Sequence, residues 1–542
     1  MKIDFLGGAG EVGASCILVK INDKNILMDC GIRQGGSSDT LPDFRRIQEE
    51  GGVDAILISH GHMDHIGALP IIAKEYPLAK VYCNNMTKDI MRVLLYDSIK
   101  IMNRREAEIP LYGEVDVVNL LDRTYTYNYE VPFQVFNDIR VTFYLAGHIP
   151  GAACIYITSE EGSLFYSGDF SLFSQITVEG AKFPKLRPDV AIIESTYGDK
   201  LHSSRKLEEE KLVNYVKEII RGQGKVLVPA VALGRAQEVI LILKRAINNG
   251  QLPKVKVYVD GMVRDMNTVF KRNPLYLKNS LSKKILKGTE PFYDENIIAV
   301  STNEERKEAL ESKEPVIIVS SSGMLTGGPS QTYAEGLLQD EKSAIIVSGY
   351  QDEESPGRRL LNLFEVPDED RVLDINNKTI PVKCRIEKVS LSAHGDKSEI
   401  KAVIDRVSPK KVFLVHGNKE VIASLGKEML LESERQIYTP SLGDSFNIDI
   451  YNPRKQLNKK IRYRMNNEIE DLNENTLGGL REFIIKNYGY VNFTVEDLLR
   501  IWCSNDILNI NLKEYEKLLI ETPYFLSDSK RVFMFSPTEP EE

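Results

Sequence analysis

Four side chains able to bind a metal ion lie within six positions of one another, at His60, His62, Asp64 and His65. The residues before them are apolar and β-prone, and those after them begin a helical pattern, so the group lies on a strand-to-helix loop. Neutral imidazole and carboxylate suit Zn²⁺ and similar borderline metals. The chain has only seven histidines, so a polar surface loop with incidental histidines is the weaker explanation. The spacing predicts a metal site in which one loop serves two ions.

Further histidines and acidic residues lie at the ends of predicted strands, where metal ligands are often found. They are His148, Asp169, Glu194, His394 and His416. A turn histidine or a Gly-Asp turn would explain His148 or Asp169 taken singly. Their occurrence together with the loop at 60–65 favours one shared site. The seventh histidine, His202, lies in a polar segment, and we expect it at the surface.

Asp29 ends an apolar strand just before Gly31. A buried carboxylate at that position needs hydrogen-bond partners, because burying it alone is costly. Two interpretations stay open. Asp29 either gives structural support to the metal loop or caps a turn.

The segment GAGEVG at 8–13 fits the dinucleotide-binding pattern GxGxxG letter for letter. That pattern binds pyrophosphate only when a helix follows it. Residues 14–21 read as a second strand, and residues 25–30 as a third. We therefore predict an antiparallel meander and reject the dinucleotide site.

Composition is that of a soluble globular chain long enough for two to four domains. The sequence has no long apolar run and no signal-like start, so we expect a cytoplasmic protein with no membrane association. Six cysteines lie scattered without CxxC pairs and read as reduced core residues. The net charge of −9 is concentrated in the tail, where residues 465–542 hold seven basic and fifteen acidic side chains. The nearly neutral remainder can still carry a basic groove.

Strand and helix patterns alternate between about 196 and 365, which predicts a second α/β domain with a parallel sheet. The loop SSSGMLTGGP at 320–329 follows one of its strands and includes Ser322 and Gly323. Such a loop can aim backbone N–H groups at phosphate, although a plain tight turn explains it equally well. Arg235 opens a helix, and either meets a phosphate there or is an ordinary surface arginine.

Two segments follow the second α/β pattern. Residues 451–464 form a basic linker, either a solvated connector or a contact for RNA phosphates. Residues 465–542 show helical patterns at 477–487, 495–503 and 512–521, followed by a hairpin pattern at 524–535. Thr494 with Asp497 resembles a helix cap, as does Asn511 with Glu514. We predict a small winged-helix-like domain whose acidity favours a protein partner or self-association.

The metal-capable residues together resemble the ligand set of the metallo-β-lactamase superfamily. Three more stretches are similar to the added motifs of its β-CASP branch: ESTYG (194–198), SAH (392–394) and LVHG (414–417). Others resemble the polyadenylation-type endoribonucleases: GHIPGA (147–152), SGDF (167–170), ALGRAQE (232–238) and SGMLTGG (322–328). The match spans about residues 1–450 and leaves the tail uncovered. The loop GYQDEESPG (349–357) departs from it by being more acidic.

The resemblance implies an α/β fold: an αββα metallo-β-lactamase sandwich with an inserted parallel-sheet β-CASP domain and a small C-terminal α+β domain. The expected boundaries are 1–195 for the first part of the sandwich, 196–365 for the β-CASP domain, 366–450 for the second part, 451–464 for the linker and 465–542 for the tail. The active site would lie between the sandwich and the insertion.

The resemblance also implies a role for each site residue. One Zn²⁺ would take His60, His62, His148 and Asp169. A second would take Asp64, His65, His416 and the bridging Asp169. The catalytic residues would be Asp64, His394 as general acid, and Glu194, which orients His394. In this branch a histidine in the last motif is associated with RNA substrates, so His416 favours RNA over DNA. The candidates for binding RNA phosphates are Arg235, Ser322, Gly323 and Ser392.

The implied function is a zinc-dependent ribonuclease that cuts single-stranded RNA to 5′-phosphate and 3′-hydroxyl ends in RNA processing or decay. The resemblance favours internal cutting, and whether the enzyme also cuts from the 5′ end stays open. A DNA nuclease of the same fold is the nearest alternative. A non-catalytic scaffold is a further one, but scaffolds of this family lose ligands that this sequence keeps.

Overall fold

The computed structural model describes residues 1–33, 40–103, 110–432, 435–450, 463–465, 472–503, 512–528 and 531–539. The chain divides into two compact units, Met1–Arg454 and Lys455–Glu542. Among the described residues, no helix is both long enough and apolar enough to cross a bilayer. All six cysteines are free and five are buried, as their scattered positions predict.

The first sheet opens the first unit with an antiparallel meander and continues with parallel strands. Its strands in chain order are β1 (Lys2–Gly7), β2 (Cys16–Ile21), β3 (Lys24–Met28), β4 (Ala55–Leu57), β5 (Lys80–Cys83) and β6 (Thr124–Thr126). β2 pairs antiparallel with β1 directly after the glycine-rich loop. No helix opens there, so the meander is confirmed and a dinucleotide site is excluded.

The second sheet stacks on the first. Its first five strands are β7 (Phe133–Phe136), β8 (Ile139–Leu145), β9 (Ala153–Thr158), β10 (Ser163–Tyr166) and β11 (Val190–Glu194). The helices of this region are α1 (Arg45–Glu49), α2 (Met63–Ile66), α3 (Leu69–Glu75), α4 (Asn85–Met102) and α5 (Glu114–Asp122).

Alternation along the strands creates two kinds of core. On β2, Ile17 and Val19 pack with Phe143 and other residues of the second sheet, between the two sheets. Leu18 points the other way, into a core shared with the helices. Successive side chains of a strand face opposite sides, so each sheet buries one face on the other sheet and one under helices. The helix–sheet–sheet–helix order confirms the predicted αββα fold.

The third sheet is parallel throughout and has helices between its strands. Its elements in chain order are α6 (Arg205–Arg221), β12 (Val226–Pro229), α7 (Arg235–Asn248), β13 (Lys256–Asp260), α8 (Val263–Arg272), α9 (Asn279–Leu286), β14 (Ile297–Ala299), α10 (Asn303–Glu311), β15 (Val316–Ser320), α11 (Pro329–Leu337), β16 (Ala344–Val347) and α12 (Pro356–Asn362). Short 3-10 turns lie at Pro274–Tyr276, Leu363–Glu365 and Asp368–Asp370.

The third sheet reaches further along the chain than expected. A hairpin of β17 (Val372–Ile375) and β18 (Lys378–Pro381) follows α12. Then β19 (Arg385–Lys388) pairs in parallel with β16 as the sheet's edge. The expected return to the first domain at 366 is therefore too early for this sheet. Alternating burial identifies an edge strand but does not say to which sheet it belongs.

After β19 the chain returns to the first two sheets. The returning elements are α13 (Lys397–Val407), β20 (Lys411–Val415), α14 (Lys419–Glu432), β21 (Gln436–Tyr438) and β22 (Ser445–Asn447). β20 pairs in parallel with β11, and β21 with β20. β22 pairs antiparallel with β1. The parallel sheet is thus an insertion between two parts of one sandwich.

The second unit has its own core. Its elements are α15 (Glu474–Tyr488), β23 (Phe493–Thr494), α16 (Val495–Trp502), α17 (Leu512–Glu521), β24 (Phe525–Asp528) and β25 (Arg531–Pro537). Three antiparallel strands run in the order β23-β25-β24. The predicted cap at Thr494 is confirmed, since its hydroxyl accepts the Asp497 N–H at 3.1 Å. Linker residues 451–462 and the cap predicted at Asn511 lie outside the described residues.

Candidate metal centre

Seven side chains meet at one edge of the stacked sheets. The loop after β4 supplies His60 and His62, and the short helix α2 that follows it supplies Asp64 and His65. The ends of β8, β10 and β20 supply the others. They form two sets whose ligand atoms lie within 4.8 Å of one another: His60, His62, His148 and Asp169, and Asp64, His65, Asp169 and His416. These are the two sets that the resemblance to the metallo-β-lactamase superfamily implies.

The first set has the spacing of a four-coordinate site. The Nε2 atoms of His60 and His148 each lie 3.1 Å from Nδ1 of His62. Oδ2 of Asp169 lies 3.5 Å from Nε2 of His60 and 3.7 Å from Nε2 of His148. A tetrahedral Zn²⁺ with bonds of about 2.0–2.1 Å separates its ligands by roughly 3.3 Å, close to these distances.

The hydrogen bonds around this set leave lone pairs facing inward. Ser59 Oγ donates to Asp29 at 2.7 Å and therefore accepts from Nδ1 of His60 at 3.0 Å. Nδ1 of His148 donates to a backbone carbonyl at 2.8 Å. Burial lowers the pKa of His60, His62 and His148, so all three are neutral. Two lone pairs then converge on one nitrogen of His62, an arrangement that a cation stabilises.

The second set is held more loosely. Nε2 of His65 lies 3.8 Å from Oδ2 of Asp64 and 3.4 Å from Oδ2 of Asp169. Nε2 of His416 lies 3.3 Å from Oδ2 of Asp64. Nε2 of His65 and Oδ1 of Asp169 are buried and make no hydrogen bond to any described residue. Buried polar atoms are nearly always paired, so these two atoms fit a metal ion as their missing partner.

Asp29 supports the metal loop rather than capping a turn. Its fully buried carboxylate accepts four hydrogen bonds: the Ser59 N–H and hydroxyl at 2.7 Å, Nδ1–H of His65 at 2.7 Å and the Tyr166 hydroxyl at 2.8 Å. The bond to His65 fixes the tautomer that presents Nε2 to the metal site.

Replacing Asp29 with alanine should weaken binding of the second metal ion by about 10–100-fold, the usual effect of losing a residue that orients a ligand. Titration with a zinc-buffered chelator measures that affinity. Asp43→Ala is a suitable control, because Asp43 is partly exposed and paired with Arg45. Equal zinc affinity in Asp29→Ala and the control would contradict this role.

Unusual backbone geometry places two of the site residues. Asp29 and His416 both adopt left-handed conformations, with φ of 56° and 50°. Such conformations cost side-chain-bearing residues on the order of 1–3 kcal/mol and cluster at functional sites. Gly31 is also required, because a Cβ there would lie 1.7 Å from the backbone oxygen of Asp64. A larger residue would displace the metal loop.

Glu194 holds His394 beside the metal ligands. Nδ1 of His394 lies 3.1 Å from Oε2 and 3.2 Å from Oε1 of Glu194. Glu194 is buried and also accepts the N–H of Phe170 at 2.9 Å. Burial lowers the pKa of His394, but the carboxylates of Glu194, Asp169 and Asp64 together raise it to about 9. Nε2 of His394 makes no hydrogen bond within the described chain, so it is free to act on a substrate.

Two contacts to His394 were not predicted from the sequence. The Thr196 hydroxyl donates to Glu194 at 2.6 Å and lies 3.2 Å from Nδ1 of His416. His202, expected at the surface, is half-buried, and its Nε2 donates to the backbone oxygen of His394 at 3.2 Å. Its ring also lies against Tyr197. The position of Thr196, two residues after Glu194, is a weak sequence signal that it belongs to the site. No sequence pattern gives such a signal for His202.

The candidate phosphate-binding residues occupy different environments. Ser322 closes its own turn by accepting the Thr326 N–H at 3.0 Å, as the tight-turn interpretation expects. Gly323 packs so closely on the chain that a Cβ would lie 2.6 Å from the nitrogen of Val231. Ser392 accepts the N–H of His394 at 3.1 Å. Arg235, at the start of α7, makes neither a hydrogen bond nor an ion pair among the described residues.

Glu238 on α7 ties the inserted sheet to the metal-bearing sandwich. Its fully buried carboxylate accepts the backbone N–H groups of Ile176 at 3.0 Å and Thr177 at 2.7 Å. It also pairs with Arg205 at 2.7 Å, and Arg205 in turn donates to the oxygen of Leu391 at 2.9 Å. One carboxylate therefore joins three segments next to the motif that carries His394.

Replacing Glu238 with alanine should destabilise the protein by about 3–5 kcal/mol, because it leaves two backbone N–H groups unpaired and removes the buried carboxylate of the Arg205 pair. Arg205 then keeps Glu209, at 3.5 Å, as its acidic contact. Urea unfolding followed by circular dichroism measures the change. Glu218→Ala removes a similar pair with Arg385, but both side chains are exposed, so its cost should be about 0–1 kcal/mol. Equal losses of unfolding free energy in the two variants would show that Glu238 does not stabilise the contact between the inserted sheet and the sandwich.

Family comparisons match three regions of the chain. The metallo-β-lactamase superfamily model matches residues 9–214 and the Beta-Casp domain model matches residues 236–360. A model described as the Zn-dependent metallo-hydrolase RNA specificity domain matches residues 379–440, which include His394 and His416.

Several archaeal proteins named transcription termination factor FttA are similar to this chain. The protein from Methanocaldococcus jannaschii is 33% identical over 462 residues, covering 83% of this chain and 72% of its own. That from Methanothermobacter thermautotrophicus is 33% identical over 458 residues, covering 81% and 70%. A third, from Lokiarchaeum sp., is 33% identical over 439 residues, covering 78% and 68%.

Proposed function

Because this chain belongs to the β-CASP branch of the metallo-β-lactamase superfamily, we propose that it is a two-zinc ribonuclease. It would hydrolyse phosphodiester bonds of single-stranded RNA and leave 5′-phosphate and 3′-hydroxyl ends. Membership of this family supports a metal-dependent hydrolase.

One observation carries the proposal. Two ligand sets share Asp169, and a histidine that is not needed for either set lies beside them on a carboxylate. Metal-assisted hydrolysis of a phosphodiester combines metal activation of the attacking water with a proton donor for the departing oxygen. His394 supplies the donor, since Glu194 occupies its Nδ1 and leaves Nε2 free.

The chain's residues divide the work of the reaction. When bound, a pair of zinc ions supplies Lewis-acid activation of the phosphodiester and of a water molecule. His60, His62 and His148 would hold one ion, and Asp64, His65 and His416 the other, with Asp169 between them. His394 donates its Nε2 proton to the departing 3′-oxygen, and Glu194 keeps that histidine protonated and oriented.

The rate should fall at alkaline pH as His394 loses its proton. Glu194, with smaller contributions from Asp169 and Asp64, raises the pKa of His394 to about 9 against the effect of burial. The protonated acid therefore persists through neutral pH and is lost as the pH rises through that value. Glu194→Gln removes the charge, so the alkaline limb of the kcat profile should move to lower pH. Steady-state cleavage assays from pH 6 to 10 measure the profile, and an alkaline limb that does not move in the variant would contradict the assignment.

RNA is the favoured substrate for two reasons. The family model that spans His394 and His416 is described as an RNA specificity domain. The archaeal relatives are named as transcription termination factors, which act where RNA is made. We therefore place this activity in RNA processing or decay.

Digestion of single-stranded RNA and DNA of the same sequence, side by side, tests the proposal. We expect rapid cleavage of RNA and slow or no cleavage of DNA. Faster cleavage of DNA would favour a DNA nuclease of the same fold. If neither strand is cut by protein loaded with two zinc ions per chain, the protein is a scaffold and the proposal fails. RNAs bearing 5′-phosphate, 5′-triphosphate and 5′-hydroxyl would separate internal from 5′-end cutting.

The remaining assignments also stay proposals. The sandwich would occupy 1–195 and return after β19, with the β-CASP domain between. Ser322, Gly323 and Ser392 would contribute to RNA binding through backbone groups. The second unit would be winged-helix-like, and it would bind a protein partner or a second copy of the chain because of its acidity.

A further inference from the structure

Four cations of the first unit lie near one another without acidic partners. Arg235 and Arg358 are half-buried, and Lys200 and Lys388 are exposed. Within the described residues, none of the four side chains lies within 4 Å of a carboxylate. Most basic side chains near a protein surface have such a partner or point into solvent alone, so a group of unpaired cations indicates that an external anion neutralises them.

Arg235 is the innermost of the four. Its Nη1 atom is buried and makes no hydrogen bond to the described residues. Burial and the neighbouring charge of Arg205 lower its pKa to about 9. The loop after β16 approaches it closely, because a Cβ on Gly349 would lie 4.0 Å from Nε of Arg235. A buried guanidinium with a free nitrogen lacks the partner that such groups normally require.

Arg358 lies in the first turn of α12, directly after that loop, and has a second free nitrogen. Its Nη2 donates to the backbone oxygen of Gln351 at 2.7 Å, but its buried Nε has no partner among the described residues. Gln351 in turn donates to the oxygen of Gly323 at 3.0 Å, which anchors the loop on the strand ends of the third sheet. Arg358 is thus held rigidly, and one edge of its guanidinium stays unused.

Lys388 and Lys200 extend the group towards solvent. Besides burial, the charges of Arg358 and Lys200 lower the pKa of Lys388. Their positions agree with this: Lys388 pairs with Val347 at the end of β16, just before the loop that leads to Arg358. The Lys200 N–H donates to the backbone oxygen of Tyr197 at 3.2 Å. Four like charges held together destabilise a protein by self-repulsion unless a ligand offsets the repulsion.

Tyr197 links this group to the candidate metal centre. Its ring centre lies 6.1 Å from that of His394. The charges of Arg235 and Arg358 are both close enough to lower the pKa of Tyr197, although burial raises that pKa more. The cations therefore begin one side chain away from the proton donor. An RNA cleaved beside His394 would therefore place its neighbouring phosphates close to these cations.

We propose that Arg235, Arg358, Lys388 and Lys200 form a phosphate track that binds the consecutive backbone phosphates of single-stranded RNA next to the cleaved bond. Arg235 and Arg358 would each present guanidinium nitrogens to one phosphate, a geometry that suits arginine. The two lysines would bind the following phosphates as point charges. This inference rests on the proposed ribonuclease function and names the residues that would position the substrate.

The salt dependence of RNA binding tests the track. Fluorescence anisotropy would measure the affinity for a labelled single-stranded RNA with phosphorothioate linkages, which keep the backbone charge and slow hydrolysis, from 50 to 300 mM KCl. The slope of log affinity against log salt counts the phosphates contacted, at about 0.7 per phosphate on a single strand. Arg235→Gln, Arg358→Gln and Lys388→Gln should each reduce the slope by about 0.7 and weaken binding.

Arg359→Gln is the matched control. Arg359 follows Arg358 on α12, carries the same charge and is exposed, with hydrogen bonds to the backbone oxygens of Glu354 and Asp374. Its variant should keep the wild-type slope. Lys388→Gln changes an exposed side chain, so it stays informative if either arginine variant folds poorly. Wild-type slopes in both Lys388→Gln and Arg358→Gln would overturn the track.

A parallel cleavage assay separates this inference from the function it rests on. If the wild-type protein cuts RNA but the variants keep the wild-type slope, the track is wrong and the ribonuclease proposal stands. If the slopes change as expected but zinc-loaded protein cuts no RNA, the cations bind RNA and the ribonuclease proposal fails.

Discussion

Replacing Asp169 with alanine should remove both metal ions and reduce RNA cleavage by about 10⁴-fold or more, the scale on which losing one member of a catalytic unit acts. Asp169 is 2% exposed, and its Oδ2 lies 3.4–3.7 Å from nitrogens of His60, His65 and His148. It is the member common to both ligand sets. Without it, the first set keeps only three histidines, and the second keeps Asp64 as its one carboxylate.

Metal content by elemental analysis and cleavage assays on the same samples check this result. Asp64→Ala is the comparison variant, since Asp64 belongs to the second set alone, and we expect it to retain one ion. Asp189→Ala controls for loss of a buried aspartate, because Asp189 is 1% exposed and accepts the Ser163 N–H at 3.1 Å, away from both sets. Two ions retained in Asp169→Ala, or full activity in Asp64→Ala, would contradict the two-metal site.

Replacing His394 with alanine should leave both metal ions bound and reduce cleavage by about 10²–10⁴-fold, the usual contribution of a general acid. The reason is geometric. Nδ1 of His394 is committed to Glu194, so the side chain serves neither metal set through that atom, and its free Nε2 is the proton donor. His394 is 20% exposed, which gives a substrate access to it.

His394 could instead be a metal ligand, and the His394→Ala variant distinguishes the two roles. Asp169, Glu194, His394 and His416 form a third group whose ligand atoms lie within 4.8 Å of one another. If His394→Ala loses zinc together with activity, His394 is a ligand and the proton donor must be sought elsewhere. His202→Ala is the control, because its contact is with the backbone oxygen of His394. We expect it to keep both ions and to lose less than about tenfold in rate.

Local patterns predicted much of the fold and the metal loop. The strand ending at Leu57 and the four ligands after it are adjacent in sequence, so their meeting needs no long-range information. The strand ends near His148, Asp169 and His416 were also readable from apolar runs. Their assignment to one site depended on the family resemblance, because residues 60 and 416 come together only when β20 pairs beside β11.

What the sequence did not predict depends on distant packing. The membership of β19 in the third sheet is set by its pairing with β16, since Arg385–Lys388 alternates like any edge strand. His202 is half-buried because Tyr197 and the His394 backbone cover it. Arg358 and Lys388 look like ordinary surface cations in the sequence. That no carboxylate of the described residues pairs with them becomes visible only once their neighbours are known.

The chemistry of the cleaved ends tests the central claim most directly. Zinc-loaded protein would be incubated with a defined single-stranded RNA, and the new termini would be identified by mass spectrometry. Hydrolysis at this centre, with His394 protonating the departing 3′-oxygen, predicts 5′-phosphate and 3′-hydroxyl ends throughout. Products ending in 2′,3′-cyclic phosphate and 5′-hydroxyl, or an RNA left intact, would contradict a metal-dependent ribonuclease built on these residues.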